Sequence, residues 1–156
     1  MTTRNQRTLD EHYMRTALSL ALNGTASVSP NPRVGCVIVR DSAIIGSGWH
    51  RCCGEPHAEV EAVRNAGGDV RGATVYVNLE PCCHQGRTPP CAHMLIESGV
   101  SRVVVGMTDP NPKVDCMGER MLRDTGIEVT SGILEKESKW INRGFIRRMK
   151  MGRPWI

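Results

Sequence analysis

An α/β domain is predicted by three observations: β-branched segments alternate with segments of helical periodicity, Gly, Pro and Asn pairs separate them, and 156 residues suffice for one buried core. Asp10 is expected to cap a first helix whose apolar face is Tyr13, Met14, Ala17, Leu18, Ala21 and Leu22, ended by Asn23-Gly24. Ser29-Pro30-Asn31-Pro32-Arg33 follows as a stiff extended loop, because each proline fixes its own φ and restricts the residue before it. Strands over 34–39 and 44–49, joined at Arg40-Asp41-Ser42, form a hairpin that delivers His50 at its end.

Pro56 opens a helix over 57–66 that stops at Gly67-Gly68 and places His57 in its first turn. Residues 74–77 are a third strand buried on both faces, and its end leads into Glu80-Pro81-Cys82. A helix over 91–98, a strand over 102–106, a helix over 117–124, a strand over 127–130 and one last helix over 135–149 complete the chain. Strand and helix alternating in this way imply parallel crossovers. Asp109-Pro110-Asn111-Pro112 repeats the earlier Pro-Asn-Pro pattern after a strand, where open α/β sheets hold ligands.

Composition narrows the functional classes. The net charge is +4, from 20 Lys plus Arg against 16 Asp plus Glu. The excess gathers in Arg143, Arg147, Arg148, Lys150 and Arg153, where positive charge complements a helix C-terminus. Seven cysteines, an odd number, and the lack of an apolar leader argue against a disulfide framework and for a cytoplasmic chain with reduced thiols. No run approaches the ~20 apolar residues of a membrane span.

The chemistry concentrates between Gly54 and Cys91. His57, Cys82 and Cys91 offer one imidazole and two thiols, the soft donors zinc prefers, and three such ligands leave a fourth position for water. Glu59 lies two residues from His57, a spacing that does not share a helix face, so it is free to act as a base. His-Ala-Glu and Pro-Cys fit the zinc-deaminase signature, although eight residues separate Cys82 from Cys91 where the short form has two. Cys83 and His84 lie inside that gap and could compete as ligands. Cys82 is preferred because it follows Glu-Pro at a strand end, and Cys91 because it begins a helix. Buried incidental cysteines, or a closed structural zinc site, are the bland alternatives.

Further segments carry a resemblance: Tyr13-Met14, Pro30-Asn31-Pro32-Arg33-Val34-Gly35, the Gly-Glu-Pro-His-Ala-Glu-Val run from Gly54, Glu80-Pro81-Cys82, Gly86-Arg87-Thr88-Pro89-Pro90-Cys91 and Asp109-Pro110-Asn111-Pro112. With these the chain resembles the deaminase domain of the bifunctional riboflavin-biosynthesis deaminase/reductase family over nearly its whole length. The Gly-Arg-Thr-Pro-Pro-Cys run is the specific part, since His-Ala-Glu is shared by all cytidine-deaminase-like proteins.

The resemblance implies a three-layer α/β/α cytidine deaminase-like fold with a five-stranded mixed sheet. It implies a deaminase domain over 1–148 and, over 149–156, the start of a linker towards an absent reductase domain. The implied reaction is zinc-dependent (Zn2+) hydrolytic deamination of 2,5-diamino-6-ribosylamino-4(3H)-pyrimidinone 5′-phosphate to the aminouracil and ammonia, Glu59 carrying the proton. Matching positions place Asn31, His50 and His84 in the base pocket, and Arg87, Thr88 and Asn111 on the ribose phosphate, which calls for a forked cation and small donors. The chain departs from the family pattern at Val114-Asp115-Cys116-Met117-Gly118, with one glycine fewer and an added charge.

Expected partners are thus a small pyrimidine ribose phosphate, a second copy of the chain in a homo-oligomer, and the family's reductase domain, with no nucleic acid and no membrane. A tRNA-type base deaminase is one alternative, suggested by the basic last helix but offered few stacking platforms by an aromatic content of 4%. A catalytically silent zinc-binding assembly module is another, and it has no use for Glu59.

Overall fold

Strand residues of this chain alternate faces with period two, and the core divides accordingly. Cys36, Ile38, Val75, Val77, Val103 and Val105 pack into one cluster with Ala58, Ala62, Leu95 and Leu122. Val37, Val39, Tyr76 and Val104 pack into another with Met14, Ala17, Leu18 and Ile133. A sheet buried on both faces needs helices on both sides, which gives the three-layer arrangement.

The computed structural model describes residues 4–24, 28–83, 90–111 and 117–151. Its elements are α1 (Arg4–Ala21), β1 (Gly35–Arg40), β2 (Ala43–Trp49), α2 (Ala58–Asn65), β3 (Thr74–Leu79), α3 (Cys91–Glu97), β4 (Arg102–Met107), α4 (Met117–Asp124), β5 (Glu128–Ser131), α5 (Glu135–Ile141) and α6 (Arg143–Met151). The sheet order is β2-β1-β3-β4-β5. β1 runs antiparallel to β2 and β3, while β3, β4 and β5 are parallel, so the expected five-stranded mixed sheet is present. Asp41 and Ser42 both take positive φ, as a tight hairpin turn requires. Among the described residues no helix is long and apolar enough to cross a membrane.

Close packing of α2 on β2 fixes the helix start at which His57 lies. A Cβ on Gly48 would overlap Glu61 Cβ and the Ala62 amide, so the absence of a side chain there lets the helix lie directly on the strand.

Four sequence expectations are corrected. Asp10 is not a helix cap: it sits within α1, 1% exposed, and accepts two hydrogen bonds from Arg102, at 2.8 and 2.7 Å, and one from Tyr76 at 3.0 Å. Leu22 lies beyond α1 and is exposed rather than part of its apolar face. His57 precedes α2 with extended backbone and accepts the first helical bond from Glu61 N–H, as an N-cap residue does. The last helix is two, α5 and α6, broken at Asn142, whose side chain is committed to the backbone of Arg33.

The Asp10–Arg102 pair ties α1 to the start of β4, and removing one partner of a buried pair leaves the other uncompensated. Asp10→Ala is expected to cost about 3 kcal/mol, near the low end for such pairs because Arg102 keeps Glu128. For a chain of this size that lowers Tm by roughly 6–12 °C in a thermal melt. Burial alone raises the Asp10 pKa, but hydrogen bonds from Arg102, Gln6 and Tyr76 outweigh it and hold the carboxyl below its usual range. The stabilisation is therefore complete above about pH 4, where an unfolded aspartate is ionised, and is lost as pH falls through the depressed native value. The gap between wild type and Asp10→Ala should close in acid. An unchanged gap at pH 2 would rule this account out.

Candidate metal centre

The ends of β2, β3 and β4 and the starts of α2, α3 and α4 converge on the centre. β3 runs on through Glu80 and Pro81 to Cys82, and Glu80 braces this exit: one carboxylate oxygen accepts Asp109 N–H at 2.9 Å, the other Glu119 N–H at 3.0 Å. Gly118 at the start of α4 lies so close to Pro81 that a Cβ would overlap the Pro81 carbonyl oxygen, so α4 seats directly on the residue before the thiol. The first residue of α3, Cys91, donates its N–H to Cys82 Sγ at 3.1 Å, and Ala92 N–H bonds Cys82 O at 3.0 Å.

His57, Cys82 and Cys91 each present a donor atom, and these atoms lie within 4.8 Å of one another. His57 Nδ1 is 3.3 Å from Cys91 Sγ and 3.8 Å from Cys82 Sγ. Tetrahedral zinc with ordinary Zn–N and Zn–S bonds sets such an N···S edge at about 3.6 Å, so spacing and donor chemistry both fit that metal. His57 is exposed, Cys82 half-buried and Cys91 buried, which leaves one side of the cluster open to a small molecule.

Glu59 is 3% exposed and faces this cluster, not bulk water. Burial, reinforced by the Cys82 thiolate, pushes its carboxyl up to about 7, against His57 and a hydrogen bond from Cys91. Cys82 is pulled down to about 4, chiefly by the hydrogen bond from the Cys91 side chain, with burial opposing and His57 assisting. Cys91 is pushed up by sharing that proton and by burial. His57 is raised, first by its hydrogen bond to Cys82.

His50 and Asn31 adjoin the cluster. The His50 ring meets the His57 ring edge to face at 5.6 Å. Its Nδ1 lies 3.1 Å from Pro56 O, which can only accept, and its Nε2 lies 3.1 Å from Asn31 Nδ2, which can only donate. His50 is thus neutral with its proton on Nδ1, and burial first of all keeps its pKa low. Asn111 follows β4, half-buried, its N–H bonded to Asp109 at 2.9 Å. His84, Arg87 and Thr88, and with them Val114, Asp115 and Cys116, lie outside the described residues. Sequence reading gave no role to the bracing Glu80, nor to Asn78 and Asn142, which hold the loop carrying Asn31. A lone Asn in the apolar run of β3, and a poor helix former in the middle of the last helical segment, were the available signals.

The fold is of the cytidine-deaminase-like class, and the three-donor cluster beside a buried carboxylate fits a zinc site. The family model for the cytidine and deoxycytidylate deaminase zinc-binding region matches residues 7–107, and the chain belongs to that family.

Within it the nearer relatives are more particular. The chain is 53% identical over 147 residues to the riboflavin biosynthesis protein RibD of Escherichia coli K12, covering 94% of this chain and 40% of that protein. It is 50% identical over 145 residues to the diaminohydroxyphosphoribosylamino-pyrimidine deaminase of Buchnera aphidicola subsp. Acyrthosiphon pisum, covering 93% of this chain and 99% of the relative. A solved structure of Acinetobacter baumannii RibD superimposes with a TM-score of 0.93 at 49% identity, covering 96% of this chain and 42% of that one. The chain therefore spans about 40% of the longer relatives.

Proposed function

We propose that this chain deaminates 2,5-diamino-6-ribosylamino-4(3H)-pyrimidinone 5′-phosphate hydrolytically, yielding 5-amino-6-ribosylamino-uracil 5′-phosphate and ammonia in riboflavin biosynthesis. The observation that carries the proposal is the buried Glu59 carboxylate set against three zinc-compatible donors, in a chain matching a stand-alone deaminase of that name along 99% of its length.

His57, Cys82 and Cys91 would hold the metal. Zinc bound there supplies a Lewis acid that brings a water pKa down to about 7. As the water oxygen bonds to the ring carbon bearing the 2-amino group, Glu59 takes one proton from it and gives it to the ring nitrogen. Glu59 then takes the remaining hydroxyl proton and passes it to the amine, which leaves as ammonia as the C–N bond breaks and the carbonyl forms. Asn31 and His50, fixed against one another, line the base pocket together with His84, while Arg87, Thr88 and Asn111 take the ribose phosphate. The deaminase domain is proposed over 1–148, a boundary that falls within α6, with 149–156 leading towards a reductase domain. A homo-oligomer in the cytoplasm, with its cysteines reduced, completes the proposal. Free thiols among the described residues are in keeping with it.

Ammonia release from the diaminopyrimidinone phosphate by the zinc-loaded protein, with structured RNA in parallel, tests the assignment. Turnover of the small molecule and none of RNA is expected; the reverse would overturn it. A second measurement addresses the phosphate. Arg87→Ala should raise KM roughly tenfold for the phosphorylated substrate, the value of a charge-assisted hydrogen bond, and leave the dephosphorylated one nearly unchanged. Equal effects on both would reduce Arg87 to a loop charge.

A further inference from the structure

The loop bearing Asn31 is held from a part of the chain that the matched family region, 7–107, does not reach. Asn142, between α5 and α6 and 3% exposed, accepts Arg33 N–H on Oδ1 at 2.7 Å and donates from Nδ2 to Arg33 O at 2.8 Å. Asn78, fully buried in β3, donates to the same Arg33 carbonyl at 3.0 Å and accepts Gly35 N–H at 2.8 Å. Both polar groups of the Arg33 backbone are thereby captured by side chains, and the two captures by Asn142 span 109 positions of sequence.

The clamp bears on two residues of the base pocket at once. Pro32, with its fixed φ, joins Arg33 to Asn31 along the chain, so a held Arg33 restrains where Asn31 lies, together with the bond from Asn31 N–H to Val28 O at 2.7 Å. On the other side, Val34 O accepts His50 N–H at 3.0 Å, so the same short segment sets the backbone of His50. Asn31 and His50 then meet through their side chains, and His50 bonds the carbonyl just before His57.

We propose that Asn142 is a positioning residue for the deaminase site: the α5–α6 junction fixes Arg33, and through it aligns Asn31 and His50 for the pyrimidine. This rests on the reading above that Asn31 and His50 line the base pocket. Misplacement of a substrate-positioning group by about 1 Å can cost a factor near 10². A free loop in place of the clamp should cost about as much.

A double-mutant cycle tests it. In ammonia-release assays at fixed zinc loading, Asn142→Ala is expected to lower kcat/KM by about 10–100-fold. Added to Asn31→Ala it should lower it by a smaller factor than in wild type, because the part of its effect that runs through Asn31 is already lost. Losses that multiply in the double variant, or an unchanged kcat/KM in Asn142→Ala, would overturn the proposal. Hydrogen exchange reads the clamp without turnover, so it separates this inference from the assigned reaction. If wild type releases no ammonia the assigned reaction falls. The inference then stands if Asn142→Ala lowers protection at the Arg33 and His50 amides at least tenfold relative to Val104, and fails if protection is unchanged or lost uniformly. Should Asn142→Ala not fold, Asn142→Asp, which keeps the acceptor for Arg33 N–H but sets a carboxylate oxygen against Arg33 O in place of the donor, is judged by kcat/KM and by protection of the His50 amide alone.

Discussion

Glu59→Gln is expected to lower kcat on the diaminopyrimidinone phosphate by about 10³- to 10⁴-fold while leaving zinc bound and KM within a few fold. The magnitude follows from the role: a positioned carboxyl moving a proton to and from the reacting atoms contributes about 10²–10⁴, and here one group serves more than one transfer. Glutamine keeps the shape and a hydrogen-bonding oxygen but has no proton to give or take. Zinc retention is expected because the three donors close to one another do not include Glu59. Parallel metal analysis and steady-state kinetics check both halves. Activity within tenfold of wild type, or zinc lost along with activity, would remove Glu59 from the proton path.

Much of this arrangement was legible in sequence because it is written locally. Continuous apolar, β-branched runs at 34–39, 74–77 and 102–106 read as strands, the second as buried on both faces, and residues of these runs fill both clusters of the core. Cys82 and Cys91 could be picked out from their positions at a strand end and a helix start, and the hydrogen bond from Cys91 N–H to Cys82 Sγ rests on that placement. Polar pairs distant in sequence were not legible, since no periodicity announces them. Asp10 and Arg102 lie 92 positions apart, so Asp10 read as a cap. Asn142 and Arg33 lie 109 apart, so the last helix read as continuous. In both cases a residue ordinary in its local window is buried by a partner that only the topology supplies.

Cys91→Ala is expected to abolish stoichiometric zinc binding and to lower kcat/KM by about 10⁴-fold or more, with the fold intact. Loss of activity follows from loss of the ion, since without it water keeps a pKa near 15.7 instead of about 7. Loss of the ion follows from the donor count: two remaining ligands, one of them the exposed His57, hold zinc far more weakly than three. The fold should persist because alanine favours the helix that Cys91 begins, and because the backbone bond from residue 91 to Cys82 does not need the Sγ atom of residue 91. Cys53→Ser, at an exposed thiol outside the cluster, should keep full zinc content and activity. Metal analysis, circular dichroism and ammonia release on the two variants separate the cases. The contrast with Glu59→Gln is the decisive one: one change silences the enzyme with zinc in place, the other by removing it. Zinc retained at wild-type stoichiometry in Cys91→Ala would mean that another donor completes the site.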